Sequence, residues 1–204
     1  MFTLRASRIV FAAAALYCET LSWSALAALD GGSTVSDAST PDIQRNSFQC
    51  SSSTECARPG SSYVEGKGVG RDFERAARYF EAGCDLGDMK SCLGAAQIRR
   101  GGIGARKDEQ QALRLFLQVC DSGTFKGCRF AGELYEVGSR VPDAVPQDQA
   151  KAAVLYGRAC DGGEGASCDS LAILYDAGRG VQKDKRRAKA LRVKARQLGF
   201  DPRE

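Results

Sequence analysis

Apolar residues in the C-terminal three quarters of the chain return at helical spacing in short bursts, each closed by a glycine-rich break. Leu171, Ala172, Leu174 and Tyr175 make the stripe of a first helix, and Gly178, Arg179 and Gly180 end it. Asp184 then opens a second helix whose apolar stripe is Ala188, Leu191, Ala195 and Leu198, expected to dock on the preceding unit. The pattern recurs upstream with fixed landmarks. Cysteines at 56, 92, 128 and 168 are followed seven residues later by Tyr63, Arg99, Tyr135 and Tyr175. Next come Asp72, Asp108, Asp148 and Asp184, and four residues beyond them Ala76, Ala112, Ala152 and Ala188. Steps of 36, 36 and 40 residues mean stacked supersecondary units. The expected fold is therefore all-α, a solenoid of about four helix–turn–helix units. The four extra residues of the third unit fall in 136–147, with Gly138, Pro142 and Pro146, and read as a loop insertion.

Each landmark has a physical job. The aspartate carboxylate accepts from unpaired N–H groups of the next turn and opposes the helix dipole. Asp108 with Gln111 also has the spacing of a capping box. The alanine lets the two helices of a unit approach closely. Gly87, Gly123 and Gly163 stand three residues after Cys84, Cys120 and Cys160, where a helix end favours positive φ. Each cysteine pair is thus expected to join the end of one unit to the start of the next. Pro59, Gly60, Ser61 and Ser62 are expected to damage the first helix of the first unit.

Nine cysteines make the compartment matter. Arg5 and Arg8, the apolar run Ile9 to Tyr17 and the small residues Ala25-Leu26-Ala27 have the layout of a cleavable export signal over 1–27. Bulky Tyr17 argues against lipidation at Cys18. Residues 28–49, rich in Ser, Thr, Gly and Asp, read as a flexible linker, and 50–204 as the repeat domain. No other apolar run approaches spanning length, so a secreted or periplasmic chain without a transmembrane segment is expected. Eight cysteines then remain. Local pairing of Cys84 with Cys92, Cys120 with Cys128, Cys160 with Cys168 and Cys50 with Cys56 is the economical reading. Structural zinc is the competing one, although the chain has no histidine and no C-x-x-C pair.

The formal charge of +4 is uninformative until its distribution is seen. Eight of the basic residues lie between Lys183 and Arg196, opposed only by Asp184. Lys185, Lys189, Arg192 and Arg196 share one face of the last helix. The face reads either as the polar end of a solenoid or as attachment to an acidic partner or anionic membrane. Export argues against nucleic acid as the partner.

The segment from Tyr63 to Cys92, YVEGKGVGRDFERAARYFEAGCDLGDMKSC, resembles a Sel-1-like repeat, a relative of the tetratricopeptide repeat, and YDAGRGVQKDKRRA from Tyr175 to Ala188 resembles it too. With its C-x7-C pairs and export signal, the chain is most similar to the Hcp-like cysteine-rich family, whose members are often classed as β-lactamases. The resemblance covers 50–204 and implies a right-handed α/α superhelix with a protein- or peptide-binding inner groove. It departs at Arg99, which stands where tyrosine is expected, in the eroded first unit, and in the last unit, which has no cysteine pair.

Chemistry is hard to find in this sequence. Ser-x-x-Lys, Ser-Asp-Asn and Lys-Thr-Gly are absent, and without histidine there is no His-based triad and no HExxH motif. Gly66-Lys67-Gly68-Val69-Gly70 has no preceding strand and recurs as the inter-helix turn, which argues against a phosphate loop. A redox helper would normally carry C-x-x-C. No cofactor or metal is expected, and no catalytic residue is assigned. The leading expectation is a scaffold that binds a protein or peptide of the cell envelope. Its candidate contacts are the positions that vary between units, Gln97, Glu133 and Ile173, with Arg129 and Asp169 nearby. Their plain alternative is solvated surface. The runner-up, which only the resemblance implies, is penicillin binding or weak β-lactam hydrolysis, with a peptidoglycan-like or β-lactam ligand.

Overall fold

The computed structural model describes residues 50–102, 104–139 and 145–202. The expected export signal and linker, 1–27 and 28–49, lie outside the described residues. Within them the chain forms eight α-helices and no strand. They are α1 (Ser53–Glu65), α2 (Phe73–Asp85), α3 (Met89–Gly101), α4 (Glu109–Asp121), α5 (Phe125–Val137), α6 (Gln149–Asp161), α7 (Gly165–Ala177) and α8 (Lys185–Gln197). Each helix packs mainly on its neighbours in sequence, which makes a helical repeat solenoid. The first helices of the four units are α1, α3, α5 and α7, and the second helices are α2, α4, α6 and α8.

The repeated aspartates do what their spacing predicts. Asp72, Asp108, Asp148 and Asp184 cap α2, α4, α6 and α8, accepting from the third residue on at 2.8–2.9 Å. Their own N–H groups are bound as well. Each donates to the carbonyl of the landmark residue at the end of the first helix, Tyr63, Arg99, Tyr135 or Tyr175, at 2.8–3.1 Å. The capping box expected at Asp108 and Gln111 therefore does not close. The Asp108 N–H is already satisfied by Arg99, and the Gln111 side chain donates to Glu81 instead.

Between units the chain turns through Gly87, Gly123 and Gly163, at φ 87°, 87° and 94°. A side chain there would be strained, so glycine suits the position. The turn brings the cysteines together. Cys84–Cys92, Cys120–Cys128 and Cys160–Cys168 are disulfides joining α2 to α3, α4 to α5 and α6 to α7, with Cα atoms 4.5, 4.6 and 4.6 Å apart. Cys50–Cys56 closes the irregular first rung. The eight cysteines among the described residues are thus engaged with one another, not with zinc.

Ala76, Ala112, Ala152 and Ala188 are fully buried, as the close approach of paired helices requires. Rings of the second helices press on the bare backbone of first helices. A Cβ added to Gly60 would lie 2.8 Å from the Phe80 ring, and one added to Gly132 would lie 2.8 Å from Tyr156. This contact explains why α1 is intact, contrary to the damage expected from 59–62. It runs unbroken through Pro59 because Gly60 seats Phe80, Tyr63 is 3% exposed, and the Cys50–Cys56 bridge ties its first turns. Packing here overrides propensity. At the other end Leu198 is 41% exposed rather than docked. Phe200 takes its place beside Cys160, Cys168 and Ala195.

Two outcomes are expected. Replacing Cys120 and Cys128 together by alanine removes a loop constraint worth about 2.5 kcal/mol in the chain-entropy model, read as a lower guanidinium midpoint than that of the oxidised protein. Asp108→Ala removes one helix cap and lowers stability by about 1 kcal/mol in the same titration.

Candidate functional site

The first helices present two different surfaces, and one register position decides between them. Gly94 in α3 and Phe130 in α5 are equivalent, 36 residues apart, as are Phe80 in α2 and Phe116 in α4. Between α3 and α5, the Phe130 ring packs on Phe116 at 5.1 Å and fills the space. Between α1 and α3 there is only Gly94 over Phe80, and a cleft of about 410 Å3 remains open. Its walls are mostly apolar: Val64 from α1, Phe73 and Phe80 from α2, and Ile98 from α3, with Ser61, Glu65 and Gln97 as the polar residues. A second cavity, of about 420 Å3, lies beside the second helices α4 and α6 among Leu117, Tyr135, Val154 and Leu155.

Beyond the cleft the first-helix face becomes a ladder of ion pairs. Arg129 sits 4.0 Å over the Phe130 ring and pairs with Glu133, which also binds Arg100 at 2.6 Å. Glu136 accepts from the Tyr156 hydroxyl at 2.9 Å and pairs with Arg179. Burial, with the Glu136 charge, raises the Tyr156 phenol well above its ordinary pKa and keeps it a donor. Arg192 from α8 reaches Asp176 at 2.5 Å and Asp169 at 3.9 Å.

Of the five candidate contacts read from the sequence, Gln97 lines the open cleft. Arg129, Glu133 and Asp169 are held by neighbouring charges of the chain itself, and Ile173 is 44% exposed on α7. The basic face expected on α8 is also divided. Lys185, Lys189 and Arg196 are exposed, but Arg192 is not free, because it is half-buried against Asp169 and Asp176. No group of three or more His, Cys, Asp or Glu side chains that could hold a metal occurs among the described residues. No described helix is long and apolar enough to cross a membrane.

One feature escaped the sequence reading. Arg99, the residue in place of tyrosine, is 7% exposed and gathers two carboxylates, Glu81 at 2.7 Å and Glu74 at 2.9 Å. The Arg99 hydrogen bond is the main reason that the Glu74 carboxyl stays ionised to lower pH than usual. The signal was present in the repeat register. Glu74 and Glu81 occur only in the first unit, where Gln110 and Leu117 or Ala150 and Gly157 stand in the next two.

Paired helices tied end to end by buried disulfides, with a cleft and a charged ladder on one face, define a helical repeat scaffold. The chain belongs to the Sel1 repeat family, whose model matches residues 57–88, 90–124, 126–164 and 166–200. Among solved structures it is similar to a Sel1 repeat protein from Oxalobacter formigenes, with 24% identity over 72% of this chain and 59% of that one, at a TM-score of 0.62. It is similar also to a protective antigen of uropathogenic Escherichia coli with an SLR fold, with 22% identity over 72% of this chain and 31% of that one, at a TM-score of 0.65. Cysteine-rich protein B of Helicobacter pylori shares 29% identity over 64% of this chain and 91% of that one, at a TM-score of 0.49. The first two relatives show the shared fold, and this chain spans 59% and 31% of their lengths. No curated protein matches.

Arg99→Tyr, which restores the residue of the other units, is expected to destabilise the protein by about 2 kcal/mol. That is less than for a fully buried pair, because Glu74 is partly exposed to solvent. Glu74 has a depressed folded pKa, so its share is full above the ordinary glutamate pKa and disappears as pH falls through the lower folded value. Denaturant titrations of both proteins at neutral and acid pH measure the difference, which is expected to shrink in acid.

Proposed function

We propose that the chain is an exported scaffold that holds a protein or peptide segment of the cell envelope on its first-helix face, with the α1–α3 cleft taking an apolar side chain. The observation that carries this reading is the open apolar cleft over Phe80, where the next unit has Phe130 in place of Gly94. A space of about 410 Å3 with a few polar groups is of the size and character that bind side chains and small ligands. The neighbouring ion-pair ladder supplies the polar rim that orients a chain laid along the face. Four disulfides support an oxidising compartment, in keeping with the export layout of the N-terminal residues.

The test uses a photo-crosslinking residue at exposed Gln97, compared with one at exposed Lys90 outside the cleft. A discrete partner captured from the envelope at position 97 only, and lost when Ser61→Trp fills the cleft, is the expected result. Equal capture at both positions would refute a role for the cleft. Fold-dependent, multiple-turnover hydrolysis of nitrocefin by the oxidised chain would replace the scaffold reading with the β-lactam one.

A further inference from the structure

We propose that α8 is a docking surface for an anionic lipid membrane, through Lys185, Arg186, Lys189 and Arg196. The repeat register gives the first reason. Arg196 stands where α2, α4 and α6 carry the buried cysteines Cys84, Cys120 and Cys160, and Lys189 where α2 and α6 carry buried Ala77 and Ala153. At those positions the earlier second helices join the following unit, whereas on α8 the cations stand there exposed. A solenoid end needs polarity, which mixed charges or neutral side chains provide equally well.

The charge on α8 exceeds that need in three ways. The helix, KRRAKALRVKARQ, contains no acidic residue. Its first turn places Lys185, Arg186 and Arg187 against the positive end of the helix dipole, where cations destabilise. The remaining cations are already engaged by the protein, Arg187 over the Tyr175 ring at 4.6 Å, Arg192 with Asp176 and Lys194 with Asp161 at 2.8 Å. Among the described residues, Lys185, Arg186, Lys189 and Arg196 are exposed and have no ion-pair partner. Carboxylates thus pair with Arg192 and Lys194 and with none of these four cations.

The form of the surface favours lipid over a folded acidic partner. Lys185, Lys189 and Arg196 share one face at spacings of four and seven residues, with Arg186 and the 40% exposed Val193 beside them. The cations are spread along a helix of about 20 Å around a small apolar side chain. Such a face reads charge density, which anionic headgroups supply at any register, and each cation near them strengthens binding by roughly fivefold.

The experiment is co-sedimentation of the oxidised full chain with vesicles of phosphatidylglycerol and phosphatidylcholine in equal parts, and with phosphatidylcholine alone. Every variant shares residues 1–49, so any binding by the apolar run Ile9 to Tyr17 is common to all. Salt-sensitive binding to the anionic vesicles is expected, weakened roughly a hundredfold by Lys185→Gln, Lys189→Gln and Arg196→Gln together. Arg58→Gln, Lys90→Gln and Arg114→Gln, which remove the same charge from exposed sites elsewhere, are expected to leave it nearly unchanged. If the first triple variant fails to fold, Lys185→Gln with Arg186→Gln serves instead, since it relieves the first-turn repulsion. Equal loss in the control triple, unchanged binding of the first triple variant to the anionic vesicles, or capture by polyglutamate but not by anionic vesicles would each overturn the proposal.

Discussion

The structure depends on the contact each second helix makes with the first helices beside it. A helix of 13 residues is too short to be stable alone in water, so each must find most of its stability in a neighbour. Phe80, Phe116 and Tyr156 answer that need by occupying one register in successive units, where the first helix of the same unit offers Gly60, Ala96 and Gly132. The disulfides act on the same constraint from the unfolded side. They close short loops at the joints where one unit hands its apolar face to the next, and so limit how far neighbouring units can separate.

Within that frame the two departures from regularity differ in kind. Arg99 is compensated, since its buried charge arrived with Glu74 and Glu81 in the preceding unit and together they make one satisfied cluster. Gly94 is not compensated. It leaves open over Phe80 the apolar space that Phe130 fills over Phe116 in the next unit, and unfilled apolar space ordinarily weakens a fold.

Much of the fold was legible in the sequence because the repeat multiplies weak signals. A single Asp, Gly or Cys says little, but four aspartates in register, each followed by a buried alanine, locate every second helix. What was not legible depends on packing between units. Pro59 and Gly60 look like helix breakers until Phe80 is seen seated on Gly60. Arg192 looks like part of a free basic stripe until Asp169 and Asp176 come within reach from α7. The cleft could have been anticipated from the exchange of Gly94 for Phe130, though only by someone who already knew that both face the ring of a second helix.

The third unit shows what the register hydrogen bond permits. Between Tyr135 and Asp148 the chain is four residues longer than its counterparts, yet the Asp148 N–H still meets the Tyr135 carbonyl at 2.8 Å, and Val145 is tucked in at 1% exposure. Helix geometry on either side is thereby decoupled from the length of chain that bridges them, and lengthening such a bridge adds only a slowly growing entropy. The inter-helix loops are in effect sockets at which a solenoid of this design can accept new sequence without renegotiating its core.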